Sequence, residues 1–224
     1  MLYLMNVCPL CNHSADFFVQ DKKRAFYICE RCGLVFANPK SHLMPDVERQ
    51  RYGRSQKSSS QKPLSQFILP LLAQISQQQS GALTGLNFGR LLDEQSRQSI
   101  VDAGHLVNQY DPFFAADQSV LQHSYDFVCC YRVFEHFRHP HREWKLLNQL
   151  VKPNGWLAIG TPLLTDQDHF AKWHYKNNPT HVSFYQQQTF EYLALNSDFE
   201  LLFASKDLVL MQKSSKSDIK RILI

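Results

Sequence analysis

The sequence predicts an α/β fold: a mostly parallel sheet covered by helices on both faces, closed at one edge by an antiparallel hairpin and preceded by a small metal ribbon. Three observations carry this. From residue 83 onward, short β-type runs alternate with segments of helical apolar spacing, the pattern of a parallel sheet sandwiched between helices. Two C-x2-C pairs stand within the first 32 residues. The length of 224 residues, 44% of them hydrophobic, suffices for one main core plus a small appendage.

The ribbon spans residues 1–40, with short β pieces at Phe17 to Gln20, Ala25 to Ile28 and Leu34 to Ala37. Cys8-Pro-Leu-Cys11 and Cys29-Glu-Arg-Cys32 give the spacing C-x2-C-x17-C-x2-C, that of a tetrahedral Zn2+ site. Each pair offers two thiolates to one edge of the metal, and Gly33 permits the tight turn after the second pair. Four thiolates leave no open coordination position, so the expected role of the zinc is structural, folding a segment too small to hold a core alone.

Residues 41–62 are polar, basic and rich in Ser and Gln, a composition that buries little and reads as a linker. The main domain then runs over residues 63–224. Pro63 suits the start of a helix over Leu64 to Gln79, whose apolar residues Leu64, Phe67, Ile68, Leu71, Leu72 and Ile75 share one face and which Pro70 kinks. Next come strand Leu83 to Phe88, helix Glu94 to Ala103, strand Leu106 to Tyr110 and strand Tyr125 to Val133. Helix His141 to Val151, strand Trp156 to Thr161 and helix Gln187 to Asn196 follow. The closely spaced strands Glu200 to Ala204 and Leu208 to Gln212 suit the edge hairpin, and Lys213 to Lys220 reads as a frayed basic tail. Cys129 and Cys130, inside a strand, read as buried thiols.

Composition removes several function classes. With 8 glycines, none followed by Lys and no two spaced two apart, neither a phosphate-binding G-x-x-x-x-G-K loop nor a G-x-G-x-x-G dinucleotide fingerprint is present. The longest apolar stretch, Phe67 to Ala73, is far short of the roughly 20 residues that span a bilayer. No basic region precedes the few apolar residues at the start, so a cytoplasmic protein without membrane partner is expected. Residues 1–62 hold 10 Lys and Arg against 5 Asp and Glu, whereas the rest is balanced at 14 against 15. A basic ribbon and linker leave nucleic acid as one possible partner, although a dense Lys/Arg stripe with interleaved aromatics is missing.

Several segments, in order, resemble a class I S-adenosylmethionine-dependent methyltransferase of the branch that carries an N-terminal zinc ribbon. They are Leu86-Asn-Phe-Gly89, Tyr110-Asp-Pro-Phe-Phe114, Tyr125-Asp-Phe-Val128, Phe134-Glu-His136, Leu150-Val-Lys-Pro-Asn-Gly-Trp156, Thr161-Pro162 and Pro179-Thr-His-Val-Ser-Phe-Tyr185. The resemblance implies a Rossmann-like methyltransferase fold with a seven-stranded sheet, S-adenosylmethionine as cofactor, and a small-molecule acceptor. It places Asn87 and Gly89 in the cofactor loop, and Asp111 with Pro112 at the ribose, 22 residues after Gly89. A carboxylate accepts both ribose hydroxyls; Asp-Pro is equally a common turn. Glu135 faces the cofactor edge in this reading, and Trp173, His174 and Tyr185 face the acceptor. His181, and after it His136, are the candidate general bases, because imidazole titrates near neutral pH. A metal reading of Glu135, His136, His139 and His141 is opposed by Pro140, which interrupts a common helical face.

Two departures stand out. Where the family writes Leu-Asp-x-Gly-x-Gly-x-Gly, this chain has Leu86-Asn-Phe-Gly-Arg-Leu-Leu-Asp93, and Arg132 stands where Glu is common. Three functional readings follow: methyl transfer, a non-catalytic binding protein on the same fold, and an RNA-binding or RNA-modifying protein.

Overall fold

In the computed structural model, which describes residues 6–56, 65–77 and 81–215, the chain begins with strands β1 (Asn6–Val7), β2 (Ser14–Gln20), β3 (Ala25–Ile28) and β4 (Val35–Ala37), then helices α1 (Pro45–Gln56) and α2 (Ser65–Ser76). There follow β5 (Thr84–Phe88), α3 (Glu94–Asp102), β6 (Leu106–Tyr110), β7 (Tyr125–Tyr131), α4 (Pro140–Leu150) and β8 (Val151–Gly160). Helix α5 (Gln167–Lys172), β9 (Ser183–Phe184), α6 (Gln187–Leu195), β10 (Phe199–Ala204) and β11 (Val209–Lys213) complete it. The segment expected as a linker is therefore helical over α1, because Tyr52 on that helix is buried against Phe113, Phe114 and His136, partners that composition could not announce. Within the tail expected over Lys213 to Lys220, residues 216–220 lie outside the described residues.

The main sheet has the order β10-β11-β8-β7-β5-β6. Strands β6, β5, β7 and β8 are parallel, and β11 runs antiparallel between β8 and β10, which forms the expected hairpin. Six strands are described, as read element by element; the seventh implied by the resemblance is not among the described residues. Only residues 111–124 separate β6 from β7, and they hold a 3-10 turn at Gln118–Gln122, too little chain for an additional helix and strand.

Central strand β7 is buried along most of its length, as a parallel strand covered on both faces must be. Its alternate residues feed two cores. Phe127 and Cys129 pack with Trp156, Ala158 and the face of α2 formed by Ile68, Leu71, Leu72 and Ile75. Val128 and Cys130 point the other way, into a cluster with Leu147 and Leu150 of α4, Phe190 of α6, and Cys8, Leu10, Leu34 and Phe36 of the ribbon. Asp93 caps α3 by accepting from Ser96 N at 2.8 Å.

The ribbon is fused to this core. Strand β4 pairs antiparallel with β9, Val35 opposite Phe184 and Phe36 opposite Ser183, so the five-stranded sheet β1-β2-β3-β4-β9 ends on a strand from the second half of the chain. His141 at the start of α4 donates its N–H to Pro9 O, and Gln186 reaches Gly33 O at 2.6 Å. No helix among the described residues is long and apolar enough to cross a membrane.

Candidate functional site

Two constellations emerge. In the first, the four Sγ atoms of Cys8, Cys11, Cys29 and Cys32 lie within 4.8 Å of one another. The Cys8–Cys32 and Cys11–Cys29 separations are 3.6 and 3.4 Å, close to the roughly 3.8 Å edge of a tetrahedron with Zn–S bonds of about 2.3 Å. The residue after each second cysteine takes a left-handed conformation, Asn12 at φ 58° and Gly33 at φ 71°. Each returns its N–H to the first cysteine of its pair, Asn12 to Cys8 O at 3.0 Å and Gly33 to Cys29 O at 2.7 Å. The two knuckles thus match, and the thiols fit a tetrahedral metal.

A second constellation gathers where the strand order reverses, at the carboxyl ends of β5 and β7, the crevice in which open α/β sheets bind ligands. A cavity of about 780 Å³ opens there. Phe88, Tyr110, Phe113, Phe137 and Tyr52 give it aromatic walls, with Pro112 and His136 alongside. Asp111, at the end of β6, is fully buried and accepts from Phe113 N and Phe114 N, both at 2.8 Å, through Oδ1. Its carboxylate also receives the hydroxyl of Tyr52, whose titration is pushed upward by burial first and by this carboxylate next. Tyr52 lies parallel to Phe114 and edge-on to His136. Helix α1 is anchored over the cleft by an ion pair between Glu48 and Arg138.

Asn87 and Gly89 take part in the internal bonding of the turn after β5. Asn87 is buried and donates to Arg90 O at 2.6 Å and Gln109 Oε1 at 2.8 Å. Gly89 gives its N–H to Tyr110 O, and a Cβ on it would stand 2.7 Å from Val133 Cβ. Gln109 locks the turn through Asn87 O, Gly89 O and Leu92 N. Leu91 and Asp93 are not among the residues with positive φ, so the loop avoids the strain that a glycine-type path would impose on them. Arg132 does adopt φ 55°, at a cost of about 1 to 2 kcal/mol.

Glu135, buried beneath the cleft, accepts from the Tyr175 hydroxyl and from Thr161 Oγ1. His136 Nδ1 faces Thr180 O at 3.0 Å, which makes it the protonated nitrogen and leaves Nε2 as an acceptor. His181 is 7% exposed, with Nδ1 on Tyr175 O at 2.8 Å and Nε2 against Asn178 Nδ2 at 3.0 Å. Asn178 Oδ1 is taken by Thr180 N and Oγ1, so its amide must donate to His181. Burial lowers the His181 imidazole to about 4, leaving it neutral and held on both nitrogens.

Trp173, His174 and His181 line a shallower hollow of about 630 Å³ with Lys172, Tyr175 and Asn178. Tyr185 is 1% exposed, its hydroxyl on Phe134 O, packed in the core and away from both hollows. Sequence reasoning missed Tyr52 and Gln109. Tyr52 left one signal, a lone large aromatic in a polar segment.

No curated protein matches the sequence. Among solved structures, a similar one is the 1,6-didemethyltoxoflavin-N1-methyltransferase of Burkholderia thailandensis, with bound 1,6-didemethyltoxoflavin and S-adenosylhomocysteine. It is 11% identical with a TM-score of 0.53, covering 90% of this chain and 100% of that one. Magnesium protoporphyrin IX methyltransferase from Synechocystis PCC 6803, with bound S-adenosylhomocysteine, aligns at 14% identity and TM-score 0.48 over 74% of this chain and 94% of the other. At 11% identity the likeness to the first is one of fold. The model of the methyltransferase-domain family matches residues 66–203, more than half of the chain and all of the strands from β5 to β9. By sequence as well as by fold, the chain belongs to the methyltransferase-domain family.

Proposed function

We propose that the chain transfers a methyl group from S-adenosylmethionine to a small-molecule acceptor. One observation carries the reading: the aromatic cavity of about 780 Å³ at the switch in strand order, with Pro112, which follows the buried Asp111, and His136 in its wall. Its apolar walls and size suit an adenosine, and Glu143 Oε2, buried on the lining with no hydrogen-bond partner among the described residues, would accept from an amine. Pro112, Phe88, Tyr110 and Phe113 would flank the cofactor, and Asp111 would take its hydroxyls in exchange for that of Tyr52. When bound, the cofactor supplies an electrophilic methyl group.

The protein's part is to position the acceptor and manage its proton. His136 serves as the base, since Nε2 is its open nitrogen and Thr180 O fixes the ring. His181, neutral and engaged on both nitrogens, positions the loop that carries Thr180. Glu135 and Tyr175 support the same wall. Zn2+ in the four-cysteine site holds the ribbon and does no chemistry. Calorimetry of the full chain with S-adenosylhomocysteine tests the reading, and no heat at millimolar ligand sinks it.

A second reading has its own observation. With Tyr52 on Asp111 and the N–H of Gly89 spent on Tyr110 O, the cofactor contacts are internally satisfied, as in a binding protein that has given up the cofactor. Absence of that heat favours this reading.

A further inference from the structure

We propose that the hollow of about 630 Å³ beside the cleft receives a planar aromatic anion. This rests on the methyl-transfer reading for the ligand's role as acceptor, and adds its chemical class. His169, Trp173, His174, Tyr175 and His181 line the hollow with rings. Trp173 is the extended residue, at φ −73° and ψ 113°, between α5 and a 3-10 turn at His174–Asn177. Phe170 and Phe184 fix its ring at 6.3 and 6.2 Å between centres. It stays partly exposed, whereas Trp144 and Trp156 are buried. Centre-to-centre steps of 5.3, 5.0 and 4.2 Å join His169, Trp173, Tyr175 and His181 into one row, and His136 stands 4.9 Å beyond His181. The row therefore runs from the hollow to the wall of the cleft. Tyr175 spends its hydroxyl on the buried Glu135, which leaves its ring to the hollow.

The charge of the lining has one sign. It holds Lys172 and no acid, and Lys172 is exposed with no carboxylate within 4 Å among the described residues. Nearby acids have other tasks. Asp166 caps α5 by accepting from His169 N at 2.7 Å through Oδ1, and its Oδ2 takes the Thr165 hydroxyl at 3.0 Å. Asp168 is outside the lining, and Asp21 faces the buried Lys176 at 3.7 Å. Ring faces and edges pair offset or edge-on with another flat ring, which a saturated ring of the same size does not reproduce. The ammonium of Lys172 attracts a negative substituent on that ring, and the imidazoles of His169 and His174 add N–H donors beside it.

The three tryptophans of the chain supply three indole N–H resonances in the 15N-labelled protein, that of Trp173 being the one missing from Trp173→Phe. Benzoate titrated into the full chain is expected to shift the Trp173 resonance and to leave the other two in place. Benzamide, flat and neutral, is expected to bind about two- to fivefold more weakly, and cyclohexanecarboxylate, charged but not flat, up to about tenfold more weakly. Lys172→Gln, at an exposed position that leaves the fold intact, is expected to bind benzoate and benzamide alike, with circular dichroism as the check of folding. An unmoved Trp173 resonance, or equal affinity of wild type for benzoate and either of the other probes, overturns the proposal whatever the heat with S-adenosylhomocysteine. A preference for benzoate that survives in Lys172→Gln overturns it as well. The expected benzoate shifts in a protein that gives no heat with S-adenosylhomocysteine remove the methyl-transfer reading and leave the hollow as a site for an aromatic anion.

Discussion

His136 and His181 lie 4.9 Å apart, ring to ring, yet their hydrogen bonds assign them different work. Both were legible in the sequence as candidate bases; which one keeps an open nitrogen was not, because that depends on Asn178 and Thr180 closing around His181. The folded imidazole of His181 sits near 4, below the value of about 6.5 for a free histidine. Stability from its neutral form is therefore complete above pH 6.5 and is lost as pH falls from there toward 4, by at most about 3 kcal/mol. Urea unfolding over a pH series is expected to show this loss in wild type and a flatter curve in His181→Gln; parallel curves remove the assignment. Asp111 gives a second residue-scale expectation. Asp111→Asn keeps an oxygen for the N–H groups of Phe113 and Phe114, so the fold survives, while S-adenosylhomocysteine binds about tenfold or more weakly by calorimetry.

At the scale of elements, the ribbon and the histidine loop are one construction. The cysteine knuckles pack with Leu34 next to β4, β4 pairs with β9, and β9 begins two residues after His181. Chelation, or Cys32→Ser, is expected to release one metal ion per chain and to speed hydrogen exchange at the amides of residues 182–184 well before global unfolding. Unchanged exchange there would show that β9 stands without the ribbon. The cysteine spacing made the metal site legible because a zinc knuckle is local; the β4–β9 pairing joins positions about 150 residues apart and leaves no local trace. Helix α1 was hidden for a related reason. Its sequence is polar, and its place is decided by a single tyrosine on Phe114 and one ion pair to Arg138.

For the whole molecule, a sheet that continues from the ribbon into the main domain predicts a single cooperative thermal transition for the metal-loaded protein; two resolved transitions would contradict it. Saturation with S-adenosylhomocysteine at a hundred times its dissociation constant is expected to add about 2.7 kcal/mol to that stability, read as a rise in melting temperature. The sequence by itself determined the α/β alternation, the edge hairpin, the four-cysteine cluster and the family, since each is written in local periodicity or in motif order. Tertiary structure alone decided that the sheet has six described strands, that α1 packs over the cleft and that Tyr52 meets Asp111. Those are relations between distant segments, set by which side chains find a partner in the packed core, and a linear pattern carries no record of them.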